Sequence, residues 1–310
     1  HPEAVNAIAA VAASSADNVN FQVNSWKQQV TSQPQMANAW LNYYNWLDRE
    51  KTLERRNGAK KEKLDSLVAA SRNYISTTWQ YSLMLFLQSN KRDSTALFTA
   101  LNGSNGSTSL YPYVLQYALI RGDKKLLSEY SKLLNDARPM SAALMEYHSN
   151  CLRSTEKHAT IYAKGLNDLV PMIVLQEQYH IRPDVKLAYY ENPISDVTNS
   201  YCCLSLGADV LSQYPNASYT GLLIRLDKTR PTLELQKHLE NDFSFSFLNG
   251  IDELDENEQL IYRNYLPSFI LLYKYYTAQH DQKAVHWKAM LDKLAKVTGD
   301  KESVEKIIAK

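Results

Sequence analysis

Residues 158–189 read HATIYAKGLNDLVPMIVLQEQYHIRPDVKLAY, and this stretch sets the architecture. His158 to Ala163 is a short apolar run with Ile161 and Tyr162, residue types that suit a pleated strand. Val170 to Gln178 reads as a helix. The breaker Arg182-Pro183-Asp184 then precedes Val185 to Tyr189, which is strand-like again. Strand, helix and strand within about 30 residues is the spacing of a βαβ unit, in which the strands run parallel and the crossover is right-handed. Downstream, Tyr201 to Leu211 reads as a further helix and Gly221 to Leu226 as a third strand. Phe243, Phe245 and Phe247 alternate with polar residues, the period-two pattern of another strand. Residues 151–250 thus form an α/β segment of about three or four strands.

Helical patterns flank this segment on both sides. In residues 1–150, Trp40, Tyr43, Tyr44 and Leu47 fall at helical spacing after the Pro34 turn. A longer helix follows the basic run Lys60-Lys61-Glu62-Lys63. Its apolar face runs through Leu64, Leu67, Val68, Ile75, Trp79, Leu83 and Phe86. Asn102 to Ser107 reads as a flexible, low-complexity loop. Tyr113 to Ile120 and Leu126 to Leu134 read as a hairpin about Gly122-Asp123. In residues 251–310, Pro267 kinks or starts a helix carrying Phe269, Leu272, Tyr273 and Tyr276 on one face. The turn His280-Asp281 leads to Ala284, Trp287, Leu291 and Leu294 on the next. The fold expected is mainly α with an embedded α/β segment, α+β overall, in which helical hairpins flank a small, mostly parallel sheet. The two hairpins share their spacing and resemble tetratricopeptide-type helical pairs; ordinary hairpins read equally well.

Composition narrows the function classes. Lys+Arg number 34 against Asp+Glu 33, so no charge excess draws the chain to nucleic acid or an anionic membrane. Tyrosines number 21 and glycines only 9, which suits helical packing better than a Gly-rich nucleotide fold. No stretch approaches the roughly 18–20 apolar residues that span a bilayer. The chain begins His1-Pro2 rather than with Met, which implies removal of an N-terminal piece; residues 4–13 read as an amphipathic helix. Cys151, Cys202 and Cys203 are odd in number and lack framework spacing, so they read as buried small hydrophobes. No Gly-x-Ser-x-Gly, His-Glu-x-x-His, P-loop or Gly-x-Gly-x-x-Gly motif occurs.

The most specific segment is Lys164-Gly165-Leu166-Asn167-Asp168-Leu169-Val170-Pro171, followed by Leu175-Gln176-Glu177 and His180-Ile181-Arg182-Pro183-Asp184-Val185. It resembles a segment of uncharacterised Bacteroidetes-type envelope proteins, over about 30 residues. There a strand ends in Gly-Asp-Asn-Asp-Thr, a helix with Leu-Gln-Glu follows, and Ile-Arg-Pro-Asp-Val leads into a second strand. Some members carry it as the soluble part of a multi-spanning membrane protein. Here Leu166 replaces the first Asp and Leu169 the Thr, so two polar groups are lost from the loop. Such a loop sits where open α/β sheets bind ligands. Asn167, Asp168, Arg182 and Asp184 are therefore the candidate ligand-binding residues. The competing reading makes Asn167 or Asp168 a helix N-cap and pairs Arg182 with Asp184.

Other groupings are thinner. His148 and Cys151 at i, i+3, with His158 beyond, fall short of a zinc set. Asp252, Glu253, Asp255, Glu256 and Glu258 lack calcium-loop spacing and read as a solvated acidic turn. Arg55-Arg56 and Lys60-Lys61-Lys63, interleaved with Glu54 and Glu62, mark a solvated helix face. Asn102, Asn105 and Asn216 begin Asn-x-Ser triplets to which no role is assigned. The expectation is an exported protein, periplasmic or on the cell surface, acting as a non-catalytic protein- or ligand-binding module. It would have no catalytic residue, cofactor, metal or nucleic acid, and a protein partner in the cell envelope. The alternative is a degenerate or unrecognised enzyme with its site at the C-terminal ends of the central strands.

Overall fold

A computed structural model describes residues 19–49, 58–137, 140–191, 193–227 and 235–309. The helix expected over residues 4–13 and the Arg55-Arg56 pair lie outside the described residues. The chain divides into two compact units, His1–Ile120 and Arg121–Lys310. Helix predominates, around one mixed sheet, as the residue patterns require.

The first unit is helical: α1 (19–32), α2 (Ala37–Asp48), α3 (Ala59–Ile75), α4 (Trp79–Gln88), α5 (Ser94–Gly103) and α6 (Tyr111–Arg121). The long helix expected through Phe86 breaks at Ser76-Thr77-Thr78. Thr78 turns the chain there: its hydroxyl bonds Ile75 O at 2.8 Å and caps α4 by accepting from Tyr81 N. The break lets α4 fold back on α3 and α2, tied by Gln88 to Asp65 at 2.7 Å and by Gln80 to Asn38 at 2.8 Å. The low-complexity stretch at Asn102 is a helix end rather than a flexible loop, closed by Gly106 N–H on Leu101 O at 3.0 Å. At Gly103 a Cβ would meet Trp79 Cβ at 3.3 Å, so a larger residue would need Trp79 to give by a few tenths of an ångström.

The second unit opens with α7 (Lys124–Ala137) and α8 (Ala142–Arg153). The unit boundary falls after Ile120, between the bodies of α6 and α7, the two helices read as a hairpin. The expected βαβ unit follows as β1 (Thr160–Ala163), α9 (Leu166–Tyr179) and β2 (Lys186–Tyr189), with β1 and β2 parallel. α9 packs on α7 and α8.

Residues 201–211 are not one helix. Ser200–Cys203 is strand β3, parallel to β1, and α10 (Gly207–Gln213) starts only after a 3-10 turn. All four β3 residues are buried, so a strand covered on both faces shows no alternation to distinguish it from a helix. β5 (Leu223–Arg225) joins β3 antiparallel, β4 (Ser218–Tyr219) joins β5, and the sheet order is β2-β1-β3-β5-β4. Tyr162, Cys202 and Ile224 form one row across the sheet, and Cys202 and Ile224 pack with Val210 of α10. Ile161, Tyr201 and Arg225 form the next row, on the opposite face. Strand geometry thus sends the adjacent Cys202 and Cys203 to different faces.

Phe243, Phe245 and Phe247 do not form a strand either. Phe243 and Phe245 lie between a π-helical turn, His238–Asp242, and the short α11 (Ser246–Gly250), and Phe247 is in α11 itself. Side chains of α8 satisfy the backbone that a strand would have paired. Asn150 exchanges two bonds with Ser244, at 2.7 and 2.9 Å, and Glu146 accepts from Phe247 N at 2.7 Å and Leu248 N at 3.2 Å. Then come α12 (Glu256–Tyr262), closed by an Asp255/Glu258 capping box, α13 (Leu266–Ala278) with Pro267 in its first turn, α14 (Lys283–Val297) and α15 (Lys301–Ile308). α13 and α14 pair as the expected C-terminal hairpin.

Candidate functional site

β1 connects through α9 to β2 on one side, while β3 lies on its other side, so the strand order reverses between β1 and β3. Open α/β sheets bind ligands outside the C-terminal strand ends at such a reversal. Asn167 and Asp168 are there, in the first turn of α9. Neither is the N-cap. The helix begins at Leu166 with Gly165 as cap, whose carbonyl accepts from Asp168 N–H at 3.2 Å and Leu169 N–H at 3.1 Å. The Asp168 carboxylate instead accepts a 2.6 Å hydrogen bond from Ser205 Oγ, in the turn that leaves β3. Burial raises the Asp168 pKa, and the Ser205 bond partly opposes it.

Behind this pair lie Tyr147, Cys151 and Cys203, all buried. Tyr147 OH accepts from Asn264 Nδ2 at 3.0 Å. Burial pushes both thiols far above their ordinary range, with the Asp168 charge adding to it, so both are protonated near pH 7. His148 is buried too. Its Nδ1–H donates to Leu144 O at 2.9 Å, while Nε2 lies beside the Asn167 backbone without a hydrogen bond. Burial lowers its pKa to about 4, so the ring is neutral near pH 7. Among the described residues no three His, Cys, Asp or Glu side chains converge as a metal set. Ser205 is bonded directly to the Asp168 carboxylate rather than to an imidazole, unlike the serine of a Ser-His-Asp triad.

Arg182 and Asp184 are not brought to this site. They precede β2, at the other end of the strands, and form a bidentate pair at 2.8 and 3.0 Å. The guanidinium also donates to the carbonyls of Leu152, Thr155 and Glu156 at 3.0, 3.0 and 2.9 Å. Asp184 accepts from His158 N at 3.1 Å, and its pKa is held well below the carboxylate range, first by Arg182. All its directed contacts are internal, which makes this pair a clamp on the β1–α9–β2 segment.

A second feature lies in the same unit. A groove of about 430 Å³ is lined by Leu239, Glu240, Asn241, Phe243, Phe245, Lys283, His286 and Trp287. The π-helical turn supplies one wall and the first turns of α14 the other. His238 Nδ1 bonds Asp242 Oδ2 at 2.8 Å, and its ring stacks parallel on Phe243 with centroids 6.0 Å apart. Phe245 meets Phe243, Tyr265, Phe269 and Trp287 edge to face. No family model, curated protein or solved structure matches the chain.

Two elements of these sites escape the sequence reading. Ser205 sits in a run read as helix; its signal is the strand-to-helix turn before Gly207. The groove joins residues about 40 positions apart, and its Phe243 and Phe245 mimic a strand.

Proposed function

We propose that this chain is an exported, non-catalytic binding protein whose ligand site is the groove between the His238–Asp242 turn and α14. The groove carries the reading. Its volume falls in the range of small-molecule sites, and its lining is half apolar, from Leu239, Phe243, Phe245 and Trp287, and half polar, from Glu240, Asn241, Lys283 and His286. Export is supported by the resemblance of Lys164–Val185 to envelope proteins. Among the described residues no helix is long and apolar enough to cross a membrane. A second reading, an enzyme acting at the strand ends, draws on the Asp168–Ser205 pair at the β1/β3 reversal.

A thermal-shift screen against sugars, peptides, nucleotides and divalent metals tests both readings. A ligand at about 100 times its Kd adds roughly 2.7 kcal/mol, enough to raise the midpoint by several degrees. The expected rise is cut by about half or more in Asn241→Ala and kept in Asp168→Ala. A rise abolished by Asp168→Ala alone would move the site to the strand ends. No rise for any class would overturn the small-ligand reading and leave protein partners as the object of the search.

A further inference from the structure

We infer that the groove takes a neutral, polyhydroxylated ring, a pyranose sugar or short neutral oligosaccharide; this rests on the groove being the ligand site. Its charges are already spent on one another. Lys283 Nζ lies 3.1 Å from each Glu240 oxygen and 5.2 Å from the Tyr276 ring centre. Glu240 also accepts from Tyr276 OH, and Gln236 Nε2 lies 3.5 Å from its second oxygen and 2.6 Å from that same Tyr276 hydroxyl. A charged ligand would lose hydration in the groove and find no unpaired countercharge.

The Asn241 amide and the His286 imidazole are the exposed hydrogen-bonding groups that remain on the lining. Each offers both a donor and an acceptor, and so does a sugar hydroxyl. Between them the lining is aromatic, with Phe243 and Phe245 half-buried and 6.2 Å apart. The two rings stand at 72° to each other and Phe243 has one face against His238, so a pyranose would set its apolar C–H face on a single ring while its edge hydroxyls reach the polar walls. The platform is also held in place before any ligand arrives. The His238–Asp242 bond locks the turn, and the His238 stack fixes the Phe243 ring, which lowers the ordering cost of binding. π-Helical turns are rare and concentrate at functional sites; this one presents Glu240 and Asn241 to the groove. An extended peptide is the weaker fit, because neither edge strand, β2 or β4, lines the groove to pair with its backbone.

Saturation-transfer NMR and calorimetry on the whole chain test this. The probes are methyl glycosides of neutral hexoses, neutral disaccharides, their uronic-acid and amino-sugar analogues, and a capped aromatic dipeptide. Asn241→Ala and His286→Ala change exposed side chains and leave the fold intact; Phe243→Leu keeps an apolar floor without a flat face. The expected result is binding of a neutral sugar, weakened at least tenfold by each of the three substitutions, with the charged analogues weaker than their neutral parent. Preferential binding of a charged analogue or of the dipeptide, lost in Asn241→Ala, would overturn the sugar assignment and keep the groove as the site. Sugar binding unmoved by all three substitutions would overturn both. Absence of binding by every sugar would overturn the sugar assignment alone, the groove then being judged by the other ligand classes.

Discussion

His148 sits on α8 with 1 % of its surface exposed, one ring nitrogen bonded to Leu144 O and the other without a hydrogen bond. At i, i+3 from Cys151 it has the spacing of half a metal site, but spacing carries no information about burial, and burial decides its chemistry. Desolvation holds the folded-state pKa at about 4 against 6.5 for the free side chain. The unfolded chain therefore takes up a proton as pH falls through 6.5, while the folded protein stays neutral until about pH 4. The stabilisation from a neutral His148 is complete above pH 6.5 and is lost progressively down to about pH 4. Its full size is on the order of 3 kcal/mol at 1.36 kcal/mol per unit. Urea unfolding of wild type and His148→Phe across this range should show the wild type losing stability faster with acid, the two curves converging by about this amount. Parallel curves would mean that the folded ring takes up its proton over the same pH range as the unfolded one.

The β1–α9–β2 segment was legible because its signals are local: two short apolar runs, a helix-length interval and the Arg-Pro-Asp breaker. Elements defined by distant partners were not. β3 hides because it is buried on both faces, and the phenylalanine run imitates a strand because α8, far away in sequence, supplies its backbone bonds. The Thr78 break is a third case: Leu64 to Phe86 keeps its helical period across a turn made by one hydroxyl. The breaker itself has an energetic role at this scale. Arg182 joins the entry of β2 to the α8–β1 connection through three carbonyls, besides its pair with Asp184. Arg182→Ala removes the charged donor from all of these and leaves partly buried acceptors without it. The expected loss is about 2–4 kcal/mol in urea unfolding at neutral pH, with Asp184→Asn costing clearly less because the carbonyl bonds survive. Equal losses in the two variants would show that the ion pair alone matters.

At the scale of the molecule, fold class could be read from alternating periods, whereas the groove could not, since its lining comes from 239–245 and 283–287 and depends on how α14 returns past the π-helical turn. Both segments belong to Arg121–Lys310, and so do every strand of the sheet and all three cysteines. This unit has its own core, from Ile161 and Tyr201 in the sheet to Phe269 and Leu291 in the C-terminal hairpin, and its 190 residues are ample for independent folding. Expressed alone, residues 121–310 should show one cooperative urea transition, and a groove ligand should bind with a Kd within about twofold of that for the whole chain. The twofold tolerance matters because 1.4 kcal/mol is a tenfold change in affinity, so even one lost contact from the first unit would exceed it. A folded fragment with binding weakened tenfold or more would show that residues before Arg121 complete the site. A fragment without a cooperative transition would show that the second unit needs the first to fold.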